Sequence, residues 1–262
     1  GRLREITFRG SEEGTGTACD LDRFDRDYLH LFIWNREKRE IVGAYRLGQA
    51  DVLLKRHGPK GLYTRTLFKY QRKLLDQINP ALEMGRSFVR PEYQRSFTAL
   101  LLLWRGIGEF VVRNPRYKGL FGPVSINREY QSLSKQLMVS FIRLNNFEDA
   151  LSRCVRPRKP FKMPSPRGYD LTLTSSIIRD VDGISSLIAE IENDHKGIPV
   201  LLKQYIKLGG KILAFNRDPD FSDVLDGLIY VDLSKTNPRL LARYMGKDGT
   251  KSFLAYHGIE DY

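Results

Sequence analysis

The chain has 262 residues, 41% of them hydrophobic, enough for one large domain or two small ones around a buried core. Its formal net charge of +12 leaves three kinds of partner: nucleic acid, an anionic membrane surface or an acidic protein. No helix-turn-helix, zinc-finger or aromatic RNA-binding signature is present, which disfavours nucleic acid. The two cysteines, Cys19 and Cys154, lack a CxxC neighbour, which excludes a disulfide framework and points to a reducing compartment.

In chain order, Tyr28–Trp34 (YLHLFIW) is rich in β-formers and the polar run NREKRE follows it. Ile41–Gly48 then reads as a second strand, so a hairpin is expected. Alternation puts His30, Phe32 and Trp34 on one face and Leu29, Leu31 and Ile33 on the other, and apolar bulk on both faces predicts a central strand. Ala81–Pro91 fits a strand or a short helix by pattern alone, with Pro91 ending either. Ser96 or Thr98 can cap a helix running to about Val112. That run, from Ala99, is the longest apolar stretch; with Arg105 and Glu109 inside it, it is too short and too charged to span a bilayer. Gly119–Ile126 reads as a buried strand. Asn127 is then expected to cap a helix carrying Tyr130, Leu133, Leu137, Phe141 and Leu144.

Val155–Gly168 holds four prolines and five basic residues and should be extended. It divides residues 1–154 from a C-terminal part, 169–262. Ile177, Ile178, Val181, Ile184, Leu187, Ile188 and Ile191 form one apolar helix face, stopped by Gly197; Pro199 opens the next helix and Gly209–Gly210 ends it. KILAF and LDGLIYVDL read as strands, and Asn237–Pro238 and Gly246 bracket a last short helix. The mixed order of strands and helices favours an α/β or α+β sheet with covered faces.

Between Arg86 and Lys118 lie seven basic residues and two acidic ones. Together with a helix N-terminus, that composition suits phosphate and an acidic protein bearing it, or equally a solvated basic surface. Glu83 with Arg86 reads as an ion pair or as a catalytic pair. Arg46 reads as a partner of Asp25 and Asp27 or as a carboxylate clamp, and His30 as an edge residue or a ligand contact. Trp34 and Trp104 read as core or as the wall of an apolar tunnel. Asp218 and Asp220, in NRDPDF, read as turn residues. His195 and His257 have no ligand-spaced partner, and no metal is assigned.

The runs His30–Phe32, Val42–Arg46, Leu82–Ser87 and Leu103–Ile107, followed by YTRTLFKY, GPVSI, RPRKPFK, IPVLLKQYIKLGGKI and NRDPDFSDVLDGLIYVDL, resemble the ornithine-lipid N-acyltransferases, often labelled hemolysin-like. These belong to the GNAT superfamily and are similar to the acyl-homoserine-lactone synthases. The resemblance covers about Leu3 to Gly246 and extends to bacterial proteins that fuse a glycerolipid-type acyltransferase domain to this one. It implies a mixed, splayed central sheet flanked by helices, with a thioester arm entering between the parallel strands 81–90 and 119–126. The implied reaction moves a fatty or 3-hydroxyfatty acyl group from acyl carrier protein onto the amine of ornithine, glycine or a similar amino acid. No tightly bound cofactor is implied, only the acyl-phosphopantetheine donor. The family's Gln/Arg-x-x-Gly-x-Gly/Ala phosphate arm is matched by Gln94–Ala99, which lacks both glycines; this disfavours a diphosphate cradle for coenzyme A.

By the same resemblance Glu83 is the base or the amine-orienting carboxylate, and Arg86 holds Glu83 or binds the acceptor's carboxylate. Tyr130 is the acid for the leaving thiolate. Phe88, Val89, Arg90, Arg95, Ser96 and Trp104 are placed on the donor side, the backbone N–H of Phe88 or Val89 polarising the thioester carbonyl. Asp25, His30 and Arg46 are placed on the acceptor side. A cytoplasmic location on the inner membrane face is expected, with Val155–Gly168 resting on anionic headgroups. The alternative is a basic lipid- or carrier-binding module without chemistry.

Overall fold

The computed structural model describes residues 1–10, 14–94, 97–161, 178, 180–218 and 224–259. Among them run eight strands: β1 (Leu29–Asn35), β2 (Glu40–Gln49), β3 (Phe68–Tyr70), β4 (Ala81–Val89), β5 (Gly119–Ile126), β6 (Val155–Pro157), β7 (Lys211–Asp218) and β8 (Val224–Asp232). Six form one mixed sheet in the order β1-β2-β4-β5-β8-β7, while β3 and β6 pair separately. The mixed α/β class with a helix-flanked sheet is the one expected. The chain divides into two compact units, the first built of Gly1–Arg65, Asp76–Gly122 and Asp232–Tyr262, the second of Thr66–Leu75 and Pro123–Val231.

In the first unit, helix α1 (Arg2–Arg9) precedes the β1–β2 hairpin, and α2 (Ala50–His57) follows it. β1 is an edge strand, not the central one expected. Its partner on one side is β2, and Phe32 and Trp34 stay 53% and 49% exposed. Two-sided apolar bulk therefore misread an edge as a centre. β2 pairs antiparallel with β4, with an irregularity between Ala44 and Arg46. Opposite it on β4, Arg86 takes φ 49°, a left-handed conformation that a side chain adopts only under local constraint.

β4 and β5 pair in parallel at Ala81–Gly119, Leu82–Leu120 and Glu83–Phe121. The next residue, Gly122, abuts the Met84 backbone so closely that a Cβ would collide with the Met84 carbonyl. Helix α4 (Phe97–Arg113) buries Leu103, Trp104, Ile107 and Val111 and packs on β1, β2 and the C-terminal helix α9 (Pro238–Tyr256). Gly106 admits Leu31, and Gly108 admits the Tyr244 backbone. Ser96 lies outside the described residues and Thr98 lies inside α4, so the expected cap is not described. Asn237 caps α9 and Pro238 opens it as expected, but helical chain resumes after Gly246 (φ 72°) and runs to Tyr256. Gly246 is a kink, not a stop.

In the second unit, α5 (Ser132–Asn145) begins after Tyr130, not at Asn127, so Tyr130 sits in the preceding turn. Short helix α6 (Asp149–Ser152) leads to β6. Of the proline-rich strap, Val155–Pro157 is strand and 162–168 lie outside the described residues. Helix α7 (Val181–Ile191) is capped by Asp180, whose carboxylate accepts from the backbone of Asp182 and Gly183. It ends well before Gly197; Ile178 precedes it and Ile177 is outside the described residues. Helix α8 (Val200–Lys207) follows Pro199, and Gly209 (φ 86°) turns the chain into the β7–β8 hairpin. Asp218 is the buried last residue of β7, not a turn residue; Asp220 is outside the described residues. Met138, Phe141, Ile142, Ile184, Ile198, Leu202 and Ile206 close the apolar interior of α5, α7 and α8.

Candidate active site

In a half-buried sheet every buried polar group needs a partner, and the first unit buries Arg46 on β2 and Glu83 on β4. Glu83 is 1% exposed. One oxygen accepts from the Thr64 backbone N–H at 2.6 Å and from the Thr64 hydroxyl; the other accepts from the Tyr63 N–H at 3.0 Å and from the Tyr28 hydroxyl. Tyr28 reaches it across Gly48, the β2 residue paired with Glu83, where any Cβ would collide with the Tyr28 ring. Burial pushes the Glu83 carboxyl above its ordinary value, against the lowering effect of the Thr64 and Tyr28 hydroxyls and the two backbone N–H groups. Burial first, and the Glu83 charge second, raise the Tyr28 phenol well above its usual range. The carboxylate thus faces a closed, fully occupied hydrogen-bond shell and not an open slot.

Arg86 is not the partner of Glu83. The left-handed backbone at position 86 accompanies a guanidinium turned onto Asp20 (3.8 Å) and Asp22 (3.5 Å). Arg46, 1% exposed, donates to Asp22 at 2.6 Å and to Asp25 at 3.2 Å. Its guanidinium lies over the rings of Tyr28 and Tyr63, at 5.0 and 5.2 Å. Arg4, from α1, binds Asp25 at 2.6 Å and Asp20 at 3.2 Å. Three arginines and three aspartates so interlock within the first unit. Burial opposes ionisation of Asp25, but hydrogen bonds from Arg4 and the Asp22 N–H, with the charges of Arg4 and Arg46, hold its carboxyl well below the usual carboxylate range.

Of the acceptor-side residues, Asp25 and Arg46 meet, and His30 joins them through its Nε2, 2.9 Å from the Asp25 carbonyl. Asp27 pairs with His57 instead, at 3.3 Å. Of the donor-side residues, Phe88 is buried and pairs with Ala44, and Val89 pairs with Gly43. Arg90 is engaged with Glu40 at 2.5 Å and Glu92 at 2.9 Å. Trp104 is core, edge-on to Tyr45 at 6.5 Å and tilted against Tyr244 at 5.6 Å. Arg95 and Ser96 lie outside the described residues. Tyr130 belongs to the second unit, where its hydroxyl donates to the Gly197 carbonyl at 2.6 Å and burial raises its pKa.

The sequence reading missed Arg4, Asp20, Asp22, Tyr28, Tyr63 and Thr64. One signal was available: Asp22-x-x-Asp25 has capping-box spacing, and both residues cap the short 3-10 helix Arg23–Arg26. Arg4 carries no such signal, being 21 residues from Asp25.

No helix among the described residues is long and apolar enough to cross a membrane. Residues 3–105 match the acetyltransferase (GNAT) domain family. The chain is 31% identical over 228 residues to a glycine Nα-acyltransferase of Phocaeicola vulgatus, covering 82% of this chain and 68% of the relative. It is 31% identical over 239 residues to a glycine Nα-acyltransferase of Bacteroides thetaiotaomicron, covering 86% and 69%. A 104-residue stretch is 38% identical to an L-ornithine Nα-acyltransferase of Brucella abortus, 36% of this chain and 34% of that one. No solved structure matches. With two thirds of the glycine enzymes covered and both the interlocked Arg–Asp cluster and Glu83 inside the matching GNAT segment, the chain belongs to the N-acyltransferase family of the GNAT acyltransferases.

Proposed function

We propose that this protein acylates the α-amine of an amino acid, glycine or ornithine in kind, using a fatty acyl thioester as donor. The observation that carries the reading is the likeness to glycine Nα-acyltransferases along 82% and 86% of the chain. In the reaction the neutral amine attacks the thioester carbonyl, a C–N bond forms and the C–S bond breaks. The amine proton goes to a base, and the leaving thiolate takes up a proton. An α-amine has a pKa of about 8, so proton removal is needed at neutral pH.

Glu83 supplies the carboxylate at the inner end of this proton path, and the Tyr28 hydroxyl, hydrogen-bonded to it, is the outer member. A carboxyl pushed up by burial is better matched to that task than a solvated one. Arg46 and Arg86 supply positive charge for the acceptor's carboxylate. The backbone N–H of Phe88 or of Val89 on β4 polarises the thioester carbonyl, and Arg90, Arg95 and Ser96 take the carrier's phosphate. An acidic acyl carrier protein is the donor suited to a chain of net charge +12. The product, an N-acyl amino acid with a long chain, belongs to aminolipid synthesis at an anionic membrane surface.

The test is an acyl-transfer assay with carrier-protein and coenzyme A thioesters, on the wild type and Glu83→Gln. The wild type is expected to prefer the carrier thioester. Glu83→Gln is expected to lower kcat about 10²-fold or more with little change in acceptor KM. Equal turnover by both proteins would remove Glu83 from the proton path. No turnover by the wild type with any amino acid would remove the reading itself.

A further inference from the structure

Glycine inside a strand weakens it, and where one persists it marks a bulge or the close approach of a backbone or ligand. Three glycines of the first unit's strands have such a neighbour in the chain itself. A Cβ at Gly43 would meet the Phe88 carbonyl at 2.7 Å, one at Gly48 the Tyr28 ring, and one at Gly122 the Met84 carbonyl. Gly85, in the middle of β4, has none: a Cβ there would meet nothing within 4 Å. Nor does conformation explain it. The left-handed residue of the irregularity is Arg86, and Gly85 has no positive φ. The space over Gly85 is therefore one that the polypeptide itself leaves unfilled.

The surroundings say what that space suits. Gly85 is the partner of Arg46 in the β2–β4 register, and Glu83 lies two residues before it on the same face. Arg46 is 1% exposed, and its Nε and Nη2 are buried without a hydrogen-bond acceptor, although Nη1 binds Asp22 and Asp25. The open space thus lies on the strand that carries the proposed proton acceptor, across the register from an arginine that keeps two buried donors unused. A small zwitterion, with a carboxylate and an amine one carbon apart, fits these two demands together.

We infer that the space over Gly85 seats the acceptor amino acid, and that residue 85 limits the acceptor's size. This rests on the acyl-transfer reading above. Alanine and leucine at this position are compatible with the backbone, so Gly85→Ala and Gly85→Leu should fold, with melting temperatures close to the wild type.

The experiment measures transfer from an acyl-carrier-protein thioester to glycine, alanine and ornithine by wild type and both variants. Thioester hydrolysis without acceptor serves as the donor-side control. Gly85→Ala is expected to lower kcat/KM for ornithine at least about tenfold more than for glycine, through KM. Gly85→Leu is expected to lose all three acceptors while hydrolysing the thioester as the wild type does. A folded Gly85→Leu that acylates all three at wild-type kcat/KM overturns the inference. If that variant does not fold, an unchanged glycine-to-ornithine ratio in Gly85→Ala overturns it. Loss of thioester hydrolysis together with transfer also overturns it, since the space would then serve the donor. A wild type that transfers to no amine sinks the reading and the inference together, an outcome separate from the other three.

Discussion

The two units of the chain bury different things. The second closes α5, α7 and α8 with aliphatic and aromatic side chains; its buried Asp226 and Glu192 accept from the Ser125 hydroxyl and the Gln131 N–H, and Asp182 meets Lys203 (2.7 Å) and Lys207 (2.9 Å) at the surface, 59% exposed. The first places Arg4, Asp20, Arg46 and Glu83 inside, with Asp22, Asp25 and Arg86 only partly exposed. Taking charges out of water is costly, and a buried ion network rarely gains net stability over an apolar core of equal volume. An Arg–Asp network held inside the first unit at that cost sets it apart from the apolar packing of α5, α7 and α8.

The contrast can be broken by mutation. Arg46→Ala leaves Asp22 and Asp25 without their shared cation and is expected to cost about 3–5 kcal/mol in urea unfolding, with loss of transfer. Ile184→Ala, in the second unit, is expected to cost about 2–5 kcal/mol through its cavity and to leave acceptor KM unchanged. If Ile184→Ala moved KM and Arg46→Ala did not, the division of labour would be reversed. Tyr28→Phe deletes one of the four donors to Glu83 and the acceptor for the Tyr63 N–H, at an expected cost of about 1–3 kcal/mol. It should also lower kcat, which a purely structural hydroxyl would not do. Asp182→Asn should change stability by at most about 1 kcal/mol and activity not at all.

Acid sharpens the same contrast. Glu5 is held down to about 2, first by the Thr15 hydroxyl against the opposing effect of burial, then by the Thr15 N–H, Arg9 and the Gly16 N–H. Asp25 is likewise held below its ordinary value. A carboxyl with a depressed folded pKa binds its proton more readily when unfolded, so its contribution is present above the unfolded pKa and is lost as pH falls through the folded one. Stability should therefore fall between pH 4.5 and about 2, and Glu5→Gln should flatten the curve in that window. An unchanged slope would remove Glu5 as its source.

Much of the fold was legible because it depends on local signals: the β1–β2 hairpin, the helix through Trp104, the helix start after Pro199 and the cap at Asn237; pattern alone left Ala81–Pro91 open between strand and helix, and the family likeness made it a strand. The position of β1 was not, since alternation reports which side chains share a face and is silent on how many neighbours a strand has. The kink at Gly246 was read as a stop because a left-handed glycine suits a helix end and a kink alike. In the site, Glu83, Asp25 and Arg46 could be picked out through motif likeness and charge. Their partners could not: Thr64 and Tyr28 meet Glu83 from 19 and 55 residues away, and no spacing rule spans such distances.

Helix α1 turns its polar side inward: Arg4, Glu5 and Thr7 are buried while Ile6 is 53% exposed. Its role is that of a clasp, fastening the loop that bears Asp20 and Asp25 to the rest of the unit. A shortened version starting after Arg9 would keep every described strand of the sheet and still lose the Arg4 charge that two aspartates share. Where this domain is trimmed for fusion or grafting, the cut that preserves the Arg–Asp network lies upstream of residue 4.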